Sequence, residues 1–226
     1  MTANEHMALR LLHRPHVLLV VFLAAILATF PLVEESDVGR CVLNLITVAA
    51  IVLALHRVHV SRIGVVVIAV LGGLAVAGQI LHETGLPAPS AFASAFAQTL
   101  FYAVAAALMS LYMLGDTSAT IDELFAAAAA FMLLSLAWAS GYWCIQYLNP
   151  GAFVSANPAL PDRRTWFEFL YFSVTTLSTT GFGDVVPVSS AARAAVIIEQ
   201  FVGVLYVAVV ISRLAGFAGR TPNAVD

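Results

Sequence analysis

The chain has 226 residues, of which 61% are hydrophobic and 10% charged, with a mean hydropathy of +0.94. A soluble domain carries about a quarter charged residues, so this composition excludes one and calls for an integral membrane protein with the lipid bilayer as its solvent. All ten basic residues are arginine, which leaves no lysine-rich patch for nucleic acid, and the formal charge of −3 points to no class of partner.

Residues 1–16 are polar and carry Arg10, His13, Arg14 and His16. With the apolar run 17–33 they mimic a secretory signal, but that run is long for one and further spans follow, so it is read as a first membrane span. Glu34, Glu35 and Asp37 form an acidic loop, and 38–55 makes a second span that ends in His56, Arg57 and His59, followed by Arg62. The histidines read as interfacial residues. A third span, 63–81, holds Gly64, Gly72, Gly73 and Gly78, which suits close helix packing. A loop with His82, Glu83, Pro87 and Pro89 leads to a fourth span, 92–114. Each run approaches the length that about 30 Å of hydrocarbon requires. Cys41 and Cys144 fall inside apolar runs and read as small buried hydrophobes.

The run 115–119 breaks the pattern, and Thr120-Ile121-Asp122-Glu123 reads as a capping box that opens a fifth span to Leu148. Trp138, Tyr142, Trp143 and Tyr147 give that span an interfacial aromatic belt. After Asn149-Pro150-Gly151 comes a polar loop with Pro158 and Pro161. A second capping box, Thr165 to Glu168, then opens a helix over 165–178 that is too short to span. Such a helix is tolerated at membrane depth only where protein or water surrounds its broken end. The last span runs over 191–216. The chain thus divides into a four-span part, 1–119, and a second part, 120–226. With the N-terminus cytoplasmic, Arg10, Arg14, Arg57, Arg62, Arg213 and Arg220 lie inside and Arg40, Arg163, Arg164 and Arg193 outside. That majority, and the basic 56–62 loop against the acidic 34–37 loop, favours cytoplasmic termini.

Between the short helix and the last span lies Thr179-Thr180-Gly181-Phe182-Gly183-Asp184, with Pro187 three residues further on. Its two glycines make left-handed backbone geometry cheap. A row that alternates right- and left-handed residues points successive carbonyls one way. Four such rows around an axis stack into oxygen rings that replace the water shell of a monovalent cation. The stretch resembles the potassium-channel signature T-V-G-Y-G-D, with Thr180 for Val and Phe182 for Tyr, and the resemblance covers residues 120–216.

The resemblance implies an all-α membrane protein: six transmembrane helices with a re-entrant pore helix at 165–178, a selectivity filter at 179–183 and an inner helix at 191–216. It implies K+ held at Thr179, Thr180, Gly181 and Phe182, with no cofactor beyond the permeant ions, in a cell (plasma) membrane. One pore loop supplies a quarter of a ring, and nothing in 1–148 repeats it, so a homotetramer is expected. By position in the family, Tyr171 and Thr175 stand behind Asp184 as filter support, and Gly203 stands at the inner-helix hinge. Close packing is the competing role for that glycine. Glu199 and Gln200 lie within the last span, where an ionisable group is costly and suggests function. Glu199 either faces the pore cavity or pairs with another helix.

Four other functions compete. A weakly selective monovalent cation channel fits the loss of the Tyr hydroxyl at Phe182. An intramembrane aspartyl protease also carries G-x-G-D, but it needs two carboxylates sharing a proton, and no second Asp sits inside a span. A non-conducting subunit is opposed by the intact motif, and a transporter by the lack of paired broken helices. The fourth span has no arginine or lysine, so steep voltage gating is not expected.

Overall fold

The computed structural model describes residues 15–34, 36–57, 61–84, 89–115, 121–157 and 163–218. The expected cap at Thr120, His59, Arg10, Arg14, Arg220 and the 119/120 boundary lie outside them. Seven helices follow in order: α1 Pro15–Val33, α2 Asp37–Arg57, α3 Arg62–Glu83, α4 Pro89–Gly115, α5 Ile121–Leu148, α6 Trp166–Leu177 and α7 Ser190–Ala218. All except α6 are long and apolar enough to cross a membrane. The described residues thus hold six such helices, as in an all-α membrane protein. Its only sheet among the described residues pairs β1, Phe153–Ser155, antiparallel to β2, Val185–Pro187, with Val154 opposite Val186.

The α3 glycines divide by what they face. A Cβ on Gly72 would sit 2.4 Å from Val48 Cγ1 of α2, and one on Gly78 would sit 2.9 Å from Ser94 Cβ of α4. Gly78 lets the backbone of α4 come close, while Gly72 makes room for the side chains of Val48 and Phe101. Gly73 faces open space. On α5 the expected aromatic belt is only partly interfacial. Tyr142 is fully buried, ringed by Phe153, Phe169 and Phe172, whereas Trp138, Trp143 and Tyr147 are half-buried. Trp138, one turn earlier, shares the Tyr142 face and packs against its ring, with centroids 5.9 Å apart.

α5 is the hub. α4 and α1 pack along it, α6 lies against it, and α7 is fastened to it. Tyr206 donates to Ala127 O at 2.6 Å, and Arg213 lies 3.4 Å from Glu123 Oε2. On the neighbouring residue of the same α5 turn, Asp122 meets His16 of α1 at 3.5 Å. α7 buries the least. Ile197, Ile198, Phe201 and Leu205 are all more than half exposed, an apolar surface that only lipid or another protein chain can cover.

Candidate functional site

The Thr179–Asp184 loop is held at both ends. α6 begins with the expected capping box: Glu168 N–H donates to Thr165 Oγ1 at 3.2 Å, and Thr165 N–H donates to Glu168 Oε2 at 2.6 Å. The same Glu168 pairs with Arg164 at 2.9 Å. Gln146 of α5 then grips the backbone of Arg164 twice, donating to its O at 2.8 Å and accepting from its N–H at 2.9 Å. Trp166 Nε1 donates to Ser140 Oγ at 3.2 Å. The start of α6 is thereby riveted to the end of α5.

At its other end α6 stops in a reciprocal pair of bonds, Thr179 N–H to Thr176 O at 3.0 Å and Thr180 N–H to Thr175 O at 2.8 Å. This is a Schellman cap, whose left-handed residue is usually glycine. Here it is Thr179, with φ +59°. A β-branched residue in that region is an outlier. The left-handed conformation recurs at Gly181 (φ +55°) and Gly183 (φ +78°), and not at Thr180 or Phe182 between them. The chain therefore alternates as the glycine spacing predicts.

Beyond Asp184 the chain is latched again. Ala156 N–H donates to Asp184 O at 2.8 Å, β1 pairs with β2, and Val188 N–H donates to Ala152 O at 2.9 Å. Residues 178–184 are all exposed between these anchors. None of the carbonyls of 179–183 accepts a hydrogen bond among the described residues. A bare row of carbonyls is costly in a membrane unless it lines a water-filled or protein-enclosed space.

The side chains expected behind the loop divide their roles. The Tyr171 ring stacks on Phe182, with centroids 6.0 Å apart and planes within 5°, and its phenol lies within electrostatic reach of Asp184. Thr175 contributes its backbone: its O receives Thr180 N–H and, at 3.1 Å, Gly181 N–H, while its hydroxyl donates to Phe172 O. Asp184 Oδ1 accepts from Val185 N–H at 3.1 Å.

Gly203 lies against the end of α6. A Cβ there would stand 2.6 Å from Leu177 O, so α7 crosses this point backbone to backbone. Glu199, one turn earlier, has no exposure. Its carboxylate accepts from Tyr142 Oη of α5 and, at 2.5 Å, from Ser173 Oγ of α6. Of the two orientations open to it from sequence, cavity-facing and helix-pairing, the second holds, because the other helices supply two buried hydroxyls that satisfy the carboxylate. Sequence reading missed both partners. Tyr142 looked like one more member of an aromatic run, and Ser173 has no spacing relation to Glu199.

Residues 120–220 match a family model described as "Ion channel". The chain is also similar to the "Potassium channel protein kcv" of Paramecium bursaria Chlorella virus 1. That likeness is 44% identity over 46 residues, covering 20% of this chain and 49% of the viral protein. The chain thus spans about half the length of this curated relative. No solved structure matches significantly.

Proposed function

We propose, on the premise that residues 120–220 belong to the ion-channel family, that this protein is a homotetrameric, potassium-selective channel. Four Thr179–Gly183 strands line one axis and pass K+ passively. The pore unit is 120–226, with α6 as the re-entrant pore helix and α7 as the inner helix. The first four helices surround it without gating it steeply by voltage. The protein spans the cell membrane with both termini in the cytoplasm. Its transported species is K+, and it carries out no enzymatic reaction.

One observation carries the reading: the alternating left-handed residues at Thr179, Gly181 and Gly183, beside carbonyls that have no partner within the chain. Such carbonyls can act as ligands for a dehydrated cation. The exposed apolar face of α7 supports assembly, since inner helices of neighbouring subunits would cover it. The viral relative supports potassium as the ion.

The test is purified protein in a planar bilayer with potassium on one side and sodium on the other. The reversal potential should follow potassium. Gly181→Val should abolish current without dissociating the tetramer, as read by native mass measurement. A reversal potential that follows sodium equally would favour the second reading, a weakly selective cation channel. The exposed, hydroxyl-free ring of Phe182, braced only by stacking on Tyr171, is the observation that keeps that reading alive.

A further inference from the structure

A hollow of about 170 Å³ lies between the first four helices and the α5–α6 unit. Most of its wall is apolar, including Leu23 and Leu27 of α1 and Met132 of α5. One side is a chain of amides from three helices. Gln98 Nε2 donates to Asn44 Oδ1 at 3.0 Å, and Asn44 Nδ2 donates to Gln79 Oε1 at 2.6 Å. The chain stops there. The Gln79 NH2 group has no partner among the described residues and is not sealed off.

Amides in membrane helices commonly serve as glue between helices, and that role accounts for the two bonds. It accounts neither for the open donor nor for the hollow beside it. An engineered apolar cavity of about 150 Å³ stays dry and binds benzene, so this one has room for a single ring with a small substituent. Two ionisable side chains, Arg40 and His82, stand in the wall. The nearby Arg40 is already engaged by Glu83 at 3.1 Å, by Asp37 at 2.6 Å and by Glu34 O at 2.7 Å. The open position at Gln79 is a donor, so the matching group is an uncharged oxygen acceptor.

We propose that this hollow is a binding site for a small neutral amphipathic molecule, an apolar ring bearing a carbonyl or hydroxyl oxygen that accepts from the Gln79 amide. The site reaches Trp166, the first residue of α6, and Trp143 of α5. An occupant therefore touches the helix whose far end shapes the Thr179–Asp184 loop. An effect on conduction rests on the channel reading, whereas binding does not.

The probe is 4-bromoacetophenone, whose bromine quenches tryptophan fluorescence on contact, with 1-bromo-4-ethylbenzene as a partner of similar shape lacking the oxygen. With the full chain in lipid nanodiscs, quenching by the ketone should saturate, and the ethyl compound should bind about tenfold more weakly, the worth of about one hydrogen bond. Gln79→Met should equalise the two probes. Leu27→Phe, which fills the hollow with apolar volume, should abolish saturable quenching by both. Quenching that rises linearly without saturating, equal affinity for the two probes in the unmodified protein, or saturation untouched by Leu27→Phe would each overturn the site. So would a co-purified lipid that the ketone fails to displace. Saturable quenching in a protein that passes no current would count against the channel reading and leave the site standing.

Discussion

Thr179 occupies the left-handed end of a helix cap, a place where glycine is ordinarily chosen. Holding a β-branched residue there costs on the order of 1–3 kcal/mol, and the surrounding cap and latch keep it in place. In the channel reading its hydroxyl and carbonyl are both ligands for the ion, which gives the strain a use. Thr179→Gly should then leave the thermal unfolding temperature unchanged or higher while cutting potassium current at least about tenfold. Wild-type current in that variant would separate the strain from the function. Glu199 makes a different argument at the same scale. Its carboxylate joins α7 to α5 through Tyr142 and to α6 through Ser173, all three residues being buried. Removing one hydroxyl leaves a buried acceptor short of a partner, at about 1–3 kcal/mol. Tyr142→Phe should therefore lower stability by that amount in detergent unfolding. A double substitution with Ser173→Ala should be non-additive, because both act on one carboxylate. Additive losses would mean that the two hydroxyls work independently.

At the scale of elements, α6 is fixed by its neighbours more than by its own twelve residues. A helix this short is marginal alone. Gln146, Ser140 and the capping box hold its start, while the backbone of α7 closes on its end at Gly203. Gly203→Ala would push a methyl to 2.6 Å from Leu177 O, an atom that no rotamer change can move aside. The expected cost is about 1–3 kcal/mol of stability, together with altered conductance, since the displaced helix end is the cap of the loop. If the glycine served as a hinge, Gly203→Ala would change opening kinetics and spare the unfolding temperature. Single-channel recording beside a melting curve distinguishes the two. The sequence made much of this element legible: its limits, its cap and the loop that follows were all readable, because caps and glycines act over three or four residues. What joins α6 to the rest was not readable. Gln146 gripping Arg164 and Glu199 meeting Tyr142 are contacts between residues 18 and 57 positions apart, and no local pattern encodes them. The inward turn of Tyr142 was hidden for the same reason, since an aromatic cluster reads alike whichever face it takes.

For the whole molecule, the channel reading puts the first four helices where a voltage sensor would stand. α4 carries no arginine or lysine from end to end. α2, α3 and α4 are linked by the uncharged amides of Asn44, Gln79 and Gln98 and by Ser94, and the one charged link among the described residues, Arg40 to Glu83, pairs opposite signs. Moving one charge through the field is worth about 2.3 kcal/mol per 100 mV, and steep opening needs several per subunit. The conductance–voltage curve in symmetrical potassium should be shallow, and substitutions in the first four helices should not change its slope. An apparent gating charge of several units, lost on such substitutions, would contradict this. α1 docks against partners made much later: His16 meets Asp122 of α5, and Phe30 packs on Trp166 and Phe167 of α6. A ribosome adds ~5–20 residues per second, so α1 waits on the order of ten seconds in the membrane before its seat is synthesised. During that wait it has α2 to pack against but not its seat on α5 and α6. In the tetramer reading, chains inserted side by side are thus offered each other's first helix during synthesis.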